Sequence, residues 1–129
     1  MKLTNKQLDK IKDITFRHDL HYNLWDWLAK HPDENKRKYF HEYPKQQSLA
    51  GYSRCFACAY ADDVSDILNF QGENCELCPF NIDNHDDCLN GLYESYVSAN
   101  SNTRRTEYAK KIRDLPLNPM FNFKDVRIM

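Results

Sequence analysis

Cys55-Phe56-Ala57-Cys58 and Cys75-Glu76-Leu77-Cys78 form two C-x2-C pairs sixteen residues apart, and Cys88 follows them. A C-x2-C pair lets two thiolates reach one tetrahedral ion from a single tight turn. A second pair at this distance completes a four-sulfur zinc site with Cys55, Cys58, Cys75 and Cys78 as ligands. Zinc is favoured over an iron-sulfur cluster because this spacing is the zinc pattern. Cys88 either replaces one member of a pair or packs in the core, and His85 offers a nitrogen ligand beside it. A closed four-cysteine site leaves no position for water, so the expected role is structural and not catalytic. A redox role for either pair is the weaker reading. The sequence shows no strand-helix context of thioredoxin type and no nearby Lys or Arg to lower a thiol pKa.

Other residues offer less chemistry. His18 and His21 share a helix face and could hold a metal, but HExxH is absent, and surface or half-buried positions beside Trp25 are expected for them. Asp62-Asp63 and Asp86-Asp87 are paired acids that could bind a divalent ion, although a solvated acidic loop explains them as well. With three glycines in the chain there is no glycine-rich phosphate loop, and no nucleophile elbow occurs. Trp25, Trp27, Tyr39 and Phe40 read as core, and the run Lys36-Arg37-Lys38 as a wet helix face. No enzymatic activity is expected.

The elements that must position the cysteines belong to a chain of 129 residues, 41% hydrophobic and 13% aromatic, enough for one domain with a modest core. No apolar run reaches the length of a membrane span, and the start MKLTNKQLDKIKD has no apolar signal region. A cytoplasmic protein is therefore expected, which favours metal ligation over disulfides. The net charge of -1 hides a segregation. Residues 1–54 carry eleven Lys or Arg against seven acids, and residues 104–129 carry seven against three. Residues 55–103 carry nine acids and no Lys or Arg. Eight of those acids are Asp62, Asp63, Asp66, Glu73, Glu76, Asp83, Asp86 and Asp87, the candidate partner-binding set.

The expected fold is mainly α, a helical domain with an irregular zinc-stabilised loop module, ribbon- or knuckle-like, inserted between helices. Leu8, Ile11, Thr15, His18, Tyr22, Trp25 and Ala29 recur at three- and four-residue spacing, which predicts one long helix over about 5–29, capped by Thr4 or Asn5. His31-Pro32 stops it. Asp33 is expected to cap a short helix before Pro44, completing a helical part over 5–43, and KQQSLAGYSR reads as loop. The zinc module spans 52–90 as loops, with VSDILNF as a brief helix or strand. Helices return over 91–116, one of them capped by Thr103, and 117–129 is a tail with extended character at FNFKDVRI. The first helix should pack on the helix near 104–114 through Leu8, Ile11, Trp25, Leu28, Tyr108, Ile112 and Leu115.

In order, LWDWLAKHP, CFACAYA, CELCPF, Cys88 with GLYESY, and RRTEYAKKIRDLP resemble a group of small cysteine-rich proteins encoded by phages and prophages of low-GC Gram-positive bacteria. The resemblance covers roughly residues 20–116. Ala59-Tyr60 stands where Glu-Tyr is usual, and Tyr96 where Trp is common; neither is a presumed ligand. The resemblance brings no activity with it. It implies a phage or mobile-element origin and a bacterial cytoplasm. Small accessory phage proteins often bind host or defence machinery, such as a CRISPR effector, a restriction enzyme or a polymerase. The charge map fits an inhibitor or modulator of this kind. A clamped acidic block repels phosphates but suits the basic grooves of nucleic-acid enzymes. Docking of that block on the chain's own basic helices is the internal counterpart. A nucleic-acid-binding zinc module using the basic helices ranks second, since the metal site carries no bases and the pI is about 6.5.

Overall fold

The computed structural model of the chain describes residues 3–50, 55–72, 74–80, 91–118 and 123–124. Seven α-helices and two very short strands are formed among them: α1 Asn5–Lys10, β1 Phe16–Arg17, α2 His18–Lys30, α3 Lys36–Glu42, α4 Pro44–Ala50, α5 Phe56–Leu68, α6 Leu92–Ser98, α7 Asn102–Arg113 and β2 Phe123–Lys124. A 3-10 turn covers Asn74–Leu77. The mainly helical class is as expected from the sequence.

The N-terminal helix is two helices and not one. Thr4 opens α1 with a capping box. Its hydroxyl accepts from the Gln7 N–H at 3.2 Å, and the Gln7 side chain accepts from the Thr4 N–H at 2.9 Å. Helix α1 then stops at Lys10. Asp13, Ile14 and Thr15 are all weak helix formers. Beyond them Phe16 leaves the helical path to become fully buried, and β1 pairs in parallel with β2, Phe16 opposite Phe123. The tail's extended character is thus real at Phe123–Lys124. Thr15, which the helical spacing placed on the apolar face, is exposed. Helix α2 restarts at His18, where Asp19 in the first turn takes two hydrogen bonds from Arg17 at 2.9 and 2.7 Å.

Helix α2 packs along α7, the main contact of the fold. Leu24, Trp25 and Leu28 meet Ala109 and Ile112 in one buried cluster, with Leu8, Tyr108 and Leu115 partly buried at its edge. Polar ties run down the same seam. Thr106 donates to the Ala29 carbonyl at 3.0 Å, and Arg113 reaches Asp26 at 2.9 Å. Two of the expected caps shift. Asn35, not Asp33, caps α3, and Ser101, not Thr103, caps α7. Residues 45–50, expected as loop, belong to α4, with Pro44 at the first helical position, where its missing N–H costs nothing. Tyr39 donates to the Gln46 side chain at 2.6 Å and ties α3 to α4.

The largest correction falls on the expected loop module. Residues 56–68 are a 13-residue helix that ends on the VSDIL of VSDILNF, with Asn69 as its C-cap and Phe70 beyond it. No Gly or Pro interrupts the segment, Ala57, Ala59 and Ala61 favour helix, and Phe56, Ala57, Tyr60, Ala61 and Val64 make a buried stripe. Asn69 closes it in the left-handed region at φ 50°.

Candidate metal centre and acidic face

Cys55 is the N-cap residue of α5 and Cys58 lies in its first turn. The x2 spacing therefore places both thiols at one helix start. Cys55 is buried and Cys58 half-buried. A hydrogen bond with Cys58, together with burial, pushes the Cys55 thiol well above its ordinary value. The positive charge of Lys36 opposes this, so a cation does act on the pair, contrary to the sequence reading, but it is outweighed.

Helix α5 packs against the 3-10 turn that carries Cys75 and leads into Cys78. Leu77 and Phe80 are fully buried on either side of Cys78 and anchor it. The Asn118 N–H donates to the Pro79 carbonyl at 2.7 Å. Both cysteine pairs thus ride on elements in mutual contact. Among the described residues no three His, Cys, Asp or Glu side chains converge as a metal-binding group. Of Cys75 only the backbone is described, and Cys88 and His85 lie outside the described residues. The structure brings Cys55 and Cys58 together, two of the four cysteines expected as ligands. The chemistry of this pair fits a thiophilic ion: two thiols in mutual contact, one of them buried.

The candidate acidic residues divide. Asp62, Asp63 and Asp66 are exposed on α5. The neighbours Asp62 and Asp63 stand on a helix and not in a loop, so their side chains diverge and do not form a divalent-ion pair. Glu76 is half-buried in the 3-10 turn. Glu73, Asp83, Asp86 and Asp87 lie outside the described residues.

His18 and His21 are neither surface nor half-buried residues, as the sequence reading had them; they are 4% and 1% exposed. Their rings stack at 5.9 Å between centroids, and Phe80 lies 4.4 Å from the His21 ring. His21 Nε2 is 3.0 Å from the Ile112 carbonyl oxygen, which only accepts, so that nitrogen carries the proton. Burial lowers the His21 pKa to about 3, against the raising effect of that hydrogen bond. The signal was present in the sequence. His18, His21, Trp25 and Leu28 recur on the apolar stripe of α2, which overrides the usual polarity of histidine.

Trp25, Tyr39 and Phe40 are core, as expected, and Trp27 is partly buried. Lys36 departs from the wet-face reading. It is half-buried, with Nζ 4.4 Å from the Tyr93 ring centre and 5.4 Å from that of Trp25. Among the described residues no helix is long and apolar enough to cross a membrane. No protein-family model, curated protein or solved structure matches the chain.

Proposed function

We propose that the chain is a small zinc-stabilised binding protein, of the phage or mobile-element kind it resembles, which inhibits a host or defence nucleic-acid enzyme by placing an acidic face in its basic groove. The observation that carries this reading is the outer side of α5. Asp62, Asp63 and Asp66 are exposed there, opposite the buried stripe. Asp62 and Asp66 are like charges four residues apart, which costs the helix roughly 0.2–0.5 kcal/mol. Asp66 also stands in the last turn, where the helix dipole disfavours an anion. Neither Asp63 nor Asp66 forms an ion pair among the described residues. Arg113 of α7 pairs instead with Asp26 and Asp114, and Lys30 of α2 with Asp26. Arg113 and Lys30 thus find their acids locally, and no base of either helix pairs with Asp63 or Asp66 among the described residues. A row of carboxylates held by a rigid helix repels phosphates and complements basic grooves.

Zinc is assigned to Cys55, Cys58, Cys75 and Cys78, with Cys88 and His85 as alternative donors. It would clamp the start of α5 to the turn before Phe80. Such a clamp supplies rigidity and no catalysis.

The test is affinity capture on the full chain, comparing wild type with Asp63→Lys/Asp66→Lys. A nucleic-acid enzyme should be retained and inhibited by the wild type and released by the variant, at equal helical content. A salt-sensitive gel shift of DNA or RNA near physiological ionic strength that is lost in Lys110→Glu/Lys111→Glu would overturn this reading in favour of a second one. Arg104, Lys110 and Lys111 of α7 are exposed and form no ion pair among the described residues, so a nucleic-acid-binding module using α7 is that alternative.

A further inference from the structure

A cleft between the start of α3 and the α6–α7 hairpin lies outside the acidic face and the cysteine pairs. It encloses about 500 Å³, within the range of pockets that take small organic ligands. Its cations are Lys36 and Arg37 of α3 and Arg105 of α7. Its carboxylates, Asp33 and Glu34, precede α3, and Tyr93 and Val97 of α6 supply an apolar wall.

Two of the three cations are held without being neutralised. Lys36 rests on the Tyr93 and Trp25 rings. Arg105 donates to the Pro32 carbonyl at 3.0 Å. Arg37 is exposed. None of the three forms an ion pair among the described residues, and neither do Asp33 and Glu34. A ring face or a backbone carbonyl orders a cation while leaving its full charge available to an anion. Val97 is 58% exposed, so one apolar side chain of the wall stands open to solvent.

These features together select a ligand class. A simple anion would use the cations but not Tyr93 and Val97. An apolar molecule would leave the cations idle. An acidic peptide would meet Asp33 and Glu34. We propose that the cleft binds a nucleotide unit, with its phosphate at Arg37, Arg105 and Lys36 and its base against Tyr93 and Val97, while the two carboxylates accept from sugar hydroxyls or base amines. Each group of the cleft then has a counterpart of matching chemistry. The unit is either a free mononucleotide or an unpaired residue of a strand.

The experiment is calorimetric titration of the full chain with AMP, GMP, CMP and UMP. Inorganic phosphate, adenosine, an unstructured short oligonucleotide and an acidic peptide are run alongside. At least one mononucleotide should bind saturably, about tenfold or more tighter than phosphate or nucleoside. Arg37→Glu should weaken that binding about tenfold or more at an unchanged melting temperature, and Val97→Asp should weaken it too. An oligonucleotide that binds more tightly than the mononucleotides assigns the unit to a strand; equal or weaker binding assigns it to the free nucleotide. Either outcome supports the site. The proposal is overturned if no nucleotide binds, if phosphate alone binds as tightly, if only the acidic peptide binds, or if Arg37→Glu changes nothing. Asp63→Lys/Asp66→Lys should leave nucleotide binding intact, so failure here and failure of the acidic-face reading are separable.

Discussion

His21 shows how one side chain can make stability depend on pH. Its ring is enclosed by Phe16, His18 and Phe80, and its Nε2–H is committed to the Ile112 carbonyl. Among the described residues its Nδ1 has no hydrogen-bond partner, so nothing there stabilises a second proton. The residue titrates near 6.5 in an unfolded chain and near 3 in the fold. Between those values the unfolded chain binds more protons. The stability His21 supports is therefore intact above the unfolded pKa and is lost as pH falls towards the folded one. One such group costs about 1 kcal/mol between about pH 6.5 and 5.5, and about 1.4 kcal/mol per further unit. His21→Gln keeps a donor for Ile112 but cannot titrate. Urea denaturation at a series of pH values should show the wild type losing stability more steeply than this variant, by that amount. Coincident slopes would mean that His21 is not the neutral buried group described. Arg113 makes a second case. It bridges Asp26 and Asp114 and lies 5.4 Å from the Tyr22 ring centre. Arg113→Met keeps the stem and loses the bridges, and a loss of about 1 kcal/mol is expected in the same assay.

Among the helices, α5 sets a local cost against a use. Asp66→Lys removes a like-charge neighbour of Asp62 and puts a cation in the last turn of the helix. Thermal or urea denaturation should show a gain of roughly 0.3–1 kcal/mol. If the acidic face binds a basic groove, the same substitution should weaken partner capture, and a change that stabilises the fold while costing function marks a functional residue. A stabilised variant that still captures its partner would place the interface elsewhere. Helix α5 is also where the sequence was hardest to read. Its asparagine- and aspartate-rich surroundings and the cysteine spacing suggested loops, while the stripe from Phe56 to Val64 that decides the matter was short and rich in small residues. The first helix failed in the opposite direction. Ile11, Thr15 and His18 match a helical stripe by spacing, but the buried residue is Phe16, drawn out of the helix by the core and by pairing with Phe123. Pattern alone does not reveal such a tertiary demand. The α2–α7 seam was legible because Trp25, Leu28 and Ile112 are large and regularly spaced. The cleft was not, because Lys36, Tyr93 and Arg105 come together only where the start of α3 faces the α6–α7 hairpin.

At the scale of the whole molecule, the metal prediction tests how far the cysteine pairs hold the fold. The core is one cluster that runs from Trp25 and Ile112 through Phe16 to Tyr60, Leu77 and Phe80. Phe80 lies 5.4 Å from Phe16 and 4.4 Å from His21 across that cluster. The turn that carries Phe80 follows the second cysteine pair directly, so a clamp on those cysteines would be felt at the α2–α7 seam and not only locally. Purified chain should contain one zinc per molecule by elemental analysis. Binding energy at such a site is folding energy, and its loss is expected to cost several kcal/mol. A strong chelator should therefore lower the unfolding midpoint and relax the near-ultraviolet signal of the buried aromatics, with part of the helical signal retained. Cys55→Ser and Cys58→Ser should reproduce both effects without chelator. Cys75→Ser and Cys88→Ser then divide the remaining ligands: whichever keeps full zinc occupancy and stability is not a ligand. If wild-type chain holds no stoichiometric metal and is indifferent to chelator, the zinc assignment fails. The Cys55–Cys58 contact would then be a pair of core thiols, stabilised by burial alone and adding nothing to the rigidity of the acidic helix.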